Sequence, residues 1–140
     1  MFSKKKVMKK ILIIIVLTFL STNLAAEWTK MGEREEQGES GGYTVYADLE
    51  TLVQIKDEAK MWTLIDFQVE QEETGARFLS KKVRRKYDCQ GKHVRVLAYK
   101  LYSWGMGRGE LVRAYSQPQK WEQVQPGSME EKEWKIACGQ

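Results

Sequence analysis

The chain is poor in the residues on which many enzymes and metal sites depend. Its 140 residues include one histidine and two cysteines. Tetrahedral zinc needs three or four His, Cys or carboxylate ligands, and His93 has no second histidine to join it. With a single histidine and both thiols expected to pair, neither a Ser-His nor a Cys-His arrangement can be built convincingly. We therefore expect a non-catalytic protein with no metal and no cofactor. Four carboxylates leave paired-carboxylate chemistry open: Asp48, Glu50, Asp66 and Glu110.

A long apolar span is also missing, although the N-terminal region has a short one. The run from Ile11 to Leu20 is about half of the roughly 20 residues that a membrane-spanning helix needs. A lysine cluster precedes this run, and small residues follow it up to Ala26. This order predicts a signal peptide over residues 1–26, cleaved between Ala26 and Glu27, rather than a permanent membrane anchor. Either Met1 or Met8 could be the initiator.

An export signal determines the compartment of the mature protein, and its removal changes the net charge of the chain. No cysteine follows the apolar run, so lipid attachment there is not supported. Removing the five lysines of the signal leaves 18 basic residues against 19 acidic ones. The sequence pI of about 9.0 therefore gives no reason to expect nucleic-acid binding. Residues 27–140 suffice for one domain. We expect that domain to be exported, to the periplasm first of all, with the cell surface or the extracellular space as alternatives.

The two cysteines, Cys89 and Cys138, allow a single bridge. Both lie after the predicted signal, and an oxidising compartment favours their pairing. Their bond would close a loop of about 49 residues. The loss of conformational entropy in the unfolded chain would then stabilise the folded protein by roughly 4 kcal/mol.

The apolar pattern after the signal has mostly a period of two, which predicts strands. In the run Met61–Val69 the odd positions form one clean inward face, with Trp62 and Leu64 on the other. Gln90 and Gly91 predict a tight turn between two longer strands. Those strands are Phe78–Cys89 and Lys92–Ser103, the latter with Leu97, Tyr99 and Leu101 on one face and Val94, Val96 and Ala98 on the other. Shorter strands are predicted at Glu27–Met31, Tyr43–Ala47 and Glu110–Ser116, with a mobile loop over Gly32–Gly42.

The C-terminal segment changes to a helical pattern. Ser128 and Glu131 have the spacing of a capping box, which predicts a helix over Met129–Cys138. Gly139 suits the left-handed position after the last turn. A helix this short needs tertiary packing to be stable. We expect Trp134 to pack on the sheet and the disulfide to tie the helix to the end of a strand.

Taken together, these segments resemble the surface-adhesin protein E family of Gram-negative bacteria. The resemblance rests on the order of several short motifs and covers most of the chain after the signal. Its most specific part is the closing Trp-Lys-Ile-Ala-Cys-Gly with the paired upstream cysteine. It implies an α+β fold with a single antiparallel sheet of about six strands and a C-terminal helix tethered by the disulfide. It also implies binding to host matrix or serum proteins. This chain departs from the family in lacking the cysteine of a surface lipoprotein.

Two local features predict where a partner would bind. A basic strand could meet a glycosaminoglycan or an acidic loop of a host protein; alternatively, its charges discourage edge pairing on an exposed strand. Its members are Lys81, Lys82, Arg84, Arg85 and Lys86. Next to a glycine-rich bend, Trp104 is expected to be an exposed contact residue, with Arg108 beside it.

We therefore read the chain as an exported binding domain that resembles an adhesin and recognises a host matrix or envelope protein. The alternative is a soluble periplasmic accessory or envelope-stress protein without host contact. A dimer formed through an exposed edge strand is also plausible.

Overall fold

The strands follow one another both along the chain and across the sheet. In the computed structural model, which describes residues 27–35, 38 and 41–140, each strand from β1 to β6 pairs antiparallel with the next. A two-residue strand, β7, pairs with β5 on the same side as β6. The elements are β1 (Thr29–Arg34), β2 (Tyr43–Ile55), β3 (Glu58–Glu73), β4 (Ala76–Asp88), β5 (His93–Tyr102), β6 (Leu111–Tyr115), β7 (Glu122–Gln123) and helix α1 (Met129–Ala137). The predicted α+β fold is confirmed, and the predicted signal peptide lies outside the described residues.

The β2–β3 hairpin is much longer than the sequence pattern indicated. Asp48 pairs with Trp62, but the next pair is Val53 with Lys60, so β2 carries three extra residues between these pairs. This irregularity interrupts the alternation of apolar and polar residues after Ala47, so the sequence pattern did not predict the second half of the strand. β1 likewise continues to Arg34, so the predicted loop over residues 32–42 begins late; it is described in part only.

Helix α1 covers one face of the sheet, here called the helix face. Trp134 and Ala137 of the helix are buried against Ala47, Met61 and Tyr87 of the sheet. The indole Nε1 of Trp134 also donates a hydrogen bond of 2.8 Å to the carbonyl of Asp88. The opposite face, here called the open face, has no α-helix on it among the described residues; only a single-turn 3-10 helix, Gly105–Gly107, lies against it. A second apolar cluster lies at the other end of the strands: Ala76, Phe78 and Leu101, with Phe67 and Tyr99 against them.

Strand β4 lies between β3 and β5. The interpretation of its charges as protection for an exposed edge is therefore wrong, because both sides of the strand are paired. The predicted faces of β5 are wrong as well. Val96 pairs with Arg85 and Ala98 with Arg84, so Leu97 forms a bulge. Val94, Val96 and Tyr99 consequently share the helix face.

The C-terminal predictions agree closely with the structure. The Ser128 side chain accepts a 3.1 Å hydrogen bond from the backbone N–H of Glu131, and Gly139 adopts a φ of 70°. Cys89 and Cys138 form the predicted disulfide, with their Cα atoms 5.5 Å apart. The helix is thereby joined to the end of β4.

Candidate binding surface

Strand alternation divides the predicted basic strand between the two faces. Lys82 pairs laterally with Leu64 and Lys100, whereas Arg85 pairs with Met61. Since successive side chains of a strand point to opposite faces, the even-numbered cations of β4 lie on the open face and the odd-numbered ones on the helix face. The open face therefore has Lys82, Arg84 and Lys86, and the helix face has Lys81 and Arg85.

Arg85 is part of the buried interior. Its guanidinium Nη1 lies 3.1 Å from a carboxylate oxygen of Glu133, and the side chains of the two residues are 12% and 3% exposed. The Tyr87 hydroxyl donates to the same carboxylate at 3.2 Å. Burial raises the pKa of the Glu133 carboxyl, against the lowering effect of Arg85. Burial, followed by the charge of Glu133, raises the pKa of Tyr87 well above its ordinary value. Arg85 thus anchors α1 to the sheet.

The other cations of β4 differ in how available their charged groups are for binding a partner. Lys81 is half-buried, with its Nζ 4.4 Å from the centre of the Tyr99 ring, and burial is the main cause of its lowered pKa. Lys86 forms an ion pair of 2.9 Å with Glu58. Arg84 lines a shallow cavity of about 190 Å³ together with the exposed side chains of Val53 and Ile55.

The open face also has a cavity that the sequence did not reveal. It has a volume of about 240 Å³. Lys82 and Lys100 both line it, and the Nζ of Lys82 lies 4.9 Å from the centre of the Tyr102 ring. Burial lowers the pKa of Lys82, and the charge of Lys100 lowers it further, while Asp48 opposes both effects. The cavity is lined by Trp28, Asp48, Thr51, Trp62, Lys82, Lys100 and Tyr102.

Trp104 is presented by a loop that side chains hold against the open face. The carboxylate of Asp66 accepts a 2.8 Å hydrogen bond from the N–H of Met106. The Ser80 hydroxyl donates to the carbonyl of Trp104 at 2.6 Å and accepts from the N–H of Gly107 at 2.8 Å. With its backbone held in this way, the Trp104 side chain remains 66% exposed. Arg108 is exposed at the end of the same loop.

The part of the chain that the structure describes has no group of three or more His, Cys, Asp or Glu side chains placed to hold a metal ion. Nor is any helix in residues 27–35, 38 and 41–140 both long enough and apolar enough to cross a membrane.

Comparison with known proteins finds one matching family and solved structures of similar fold. The family described as surface-adhesin protein E matches residues 28–139. A crystal form of Haemophilus influenzae protein E has a TM-score of 0.57 at 12% identity, covering 84% of this chain and 91% of that one. A second structure of that protein has a TM-score of 0.55 at 12% identity, covering 80% and 93%. No curated protein matches the chain in sequence.

Proposed function

Because this chain belongs to the surface-adhesin protein E family, we propose that it is an exported protein that binds an acidic protein partner through its open face. The observation that supports this most is the asymmetry of the sheet. The helix face is closed by α1 and a buried ion pair, whereas the open face combines exposed apolar and cationic side chains. No chemical step is required of such a surface, so the proposed role is non-catalytic binding.

The composition of the open face suits contact with a protein. Ile55 and Trp104 are each 66% exposed, and Val53 is 46% exposed. Arg84 lies beside Val53 and Ile55 in the shallow cavity. Tryptophan and arginine are the residues that most often dominate binding energy at protein interfaces. Charge on the same surface would favour an acidic partner and make association sensitive to salt. A host matrix protein or an envelope protein with an acidic surface meets these requirements.

We test partner binding with immobilised extracellular-matrix proteins and the protein purified after export. Trp104→Ala and Arg84→Gln should each weaken binding about fivefold or more, which corresponds to at least 1 kcal/mol at an interface hot spot. Lys135→Gln, on the exposed side of α1, is the matched control and should bind like the parent protein. Equal binding by all four proteins would refute the assignment of the open face.

The compartment of the mature protein is tested separately. We propose cleavage between Ala26 and Glu27 and display outside the cell. Protease added to intact cells should digest a displayed protein, and the intact mass should correspond to a chain that starts at Glu27. The missing lipid-attachment cysteine favours a second candidate function, that of a periplasmic accessory protein. Protection until the outer membrane is opened would support that alternative and rule out adhesion.

A further inference from the structure

Two lysines lie opposite each other near the middle of the open face. Lys82 of β4 and Lys100 of β5 are register partners. Like charges directly opposite one another destabilise a sheet. Across residues 27–35, 38 and 41–140, neither ammonium group forms an ion pair with a carboxylate. A bound anion would remove the repulsion between them.

Aromatic rings surround this pair of cations. The Nζ of Lys82 lies 5.7 Å from the centre of the Trp28 ring, and the Nζ of Lys100 lies 5.5 Å from that of Trp62. The Nζ of Lys82 also lies 4.9 Å from the centre of the Tyr102 ring. The cavity thus offers flat apolar surfaces beside two positive charges. A ligand that fits it has a ring to stack on the aromatic faces and an acidic group to meet the lysines.

Asp48 restricts the ligand further. It is 9% exposed, lines the cavity, and accepts a 3.2 Å hydrogen bond from the backbone N–H of Glu50. An ionised carboxylate accepts hydrogen bonds and repels anions. A bare phosphate or sulfate ion would form ion pairs with the two lysines but no favourable contact with Asp48. A molecule with an acidic group at one end and hydroxyl groups at the other would pair with the lysines and also donate a hydrogen bond to Asp48.

We propose that this cavity binds an acidic sugar, a pyranose ring carrying a carboxylate or a sulfate ester. In this assignment Lys82 and Lys100 bind the acidic group, the ring stacks on the indoles, and Asp48 accepts a hydrogen bond from a hydroxyl. The volume of about 240 Å³ lies below the roughly 300–1,000 Å³ of sites for drug-sized ligands. One sugar ring therefore suits it better than a large cofactor. The inference goes beyond the proposed function, because it assigns a separate ligand to a different cavity of the same face.

The experiment is a titration of the purified, exported protein followed by the NMR signals of its tryptophan indoles. All five tryptophans lie after residue 26, and Trp28→Phe and Trp62→Phe assign the two signals of the cavity. Glucuronic acid tests the carboxylate and glucose 6-sulfate tests the sulfate ester. A saturable shift of both cavity signals with either sugar supports the proposal and identifies the acidic group. Glucose and inorganic sulfate should leave the signals in place at the same concentrations.

Variants locate the binding. Lys100→Gln should weaken the affinity for the acidic sugar about tenfold, the usual effect of losing one charge-assisted hydrogen bond. Lys60→Gln, on the open face but outside the cavity, is the matched control and should titrate like the parent. Unchanged affinity in Lys100→Gln, or equal shifts with inorganic sulfate alone, would overturn the proposal. Failure of the matrix-binding assay would leave this titration unaffected, so the two failures are distinguishable.

Discussion

Replacing Arg85 with glutamine should reveal how strongly the sheet holds its helix. The change leaves the carboxylate of Glu133, which is 3% exposed, without its cation. At the observed separation of 3.1 Å, an effective dielectric constant of about 20 gives an attraction of about 5 kcal/mol. Removing one partner of a buried pair typically costs about 3–5 kcal/mol. We therefore expect Arg85→Gln to lower the free energy of unfolding at pH 7 by about 4 kcal/mol.

Urea unfolding followed by tryptophan fluorescence measures this loss. For a slope near 2 kcal/mol per molar, the midpoint should fall by about 2 M. Arg84→Gln is the matched control, because Arg84 is the neighbouring residue on the opposite face, and its midpoint should change little. Arg85→Gln combined with Glu133→Gln should recover much of the stability, since no charge then remains buried. A loss below about 1 kcal/mol in Arg85→Gln would refute the assignment of a stabilising ion pair.

The same variant should depend on pH in a defined direction. Burial raises the pKa of Glu133 above its ordinary value of 4.5, and Arg85 opposes that rise. Without Arg85 the folded protein binds the proton still more tightly than the unfolded chain does. The stability contributed by the protonated carboxyl is complete below the unfolded pKa and is lost as pH rises through the folded one. The deficit of Arg85→Gln relative to the parent should therefore shrink between pH 8 and pH 5, and a deficit that grows on acidification would contradict this account.

Three further outcomes are expected from unfolding measurements. Replacing both Cys89 and Cys138 with alanine should cost about 4 kcal/mol, because their bond spans 49 residues; a midpoint equal to that of the parent would contradict it. Ser128→Ala should cost about 1 kcal/mol through the lost helix cap, with unchanged stability as the contrary result. Gly107 has a φ of 68°, and a Cβ there would lie 2.5 Å from Cε of Lys82. Gly107→Ala should therefore cost about 1–2 kcal/mol and shift the Trp104 indole signal, whereas an unmoved signal would show that the loop is not held as described.

The features that the sequence predicted are those with local causes. The cap at Ser128 depends on a residue three positions away, and the disulfide had a single possible pairing. The second half of β2 was missed because three extra residues after Asp48 break its alternation, and Leu97 shifted the faces of β5 in the same way. A bulge is defined by extra residues of one strand lying opposite fewer residues of its partner, so it becomes visible only once the two strands are paired.

In the candidate binding surface, too, features with local causes were predicted and features that depend on strand pairing were missed. Exposure of Trp104 agrees with its position beside glycines. The apparent patch of basic residues, in contrast, consisted of side chains on two faces, and alternation within β4 already contained the signal that would have separated them. The side chains that Lys82 and Arg85 meet could not be predicted from local sequence patterns. Lys100 meets Lys82 only through strand register, and Glu133 reaches Arg85 from 48 residues away.

The position of the disulfide also sets an order of events during synthesis. Cys89 precedes its partner by 49 residues, and strands β1–β4 precede it. At about 5–20 residues per second, its thiol exists for roughly 2–10 s before Cys138 has been made. Because the bond needs both cysteines and an oxidising compartment, no covalent link to the helix exists while the chain is being made. A chain that stops early carries an unpaired thiol at the end of β4, which distinguishes it chemically from a finished molecule.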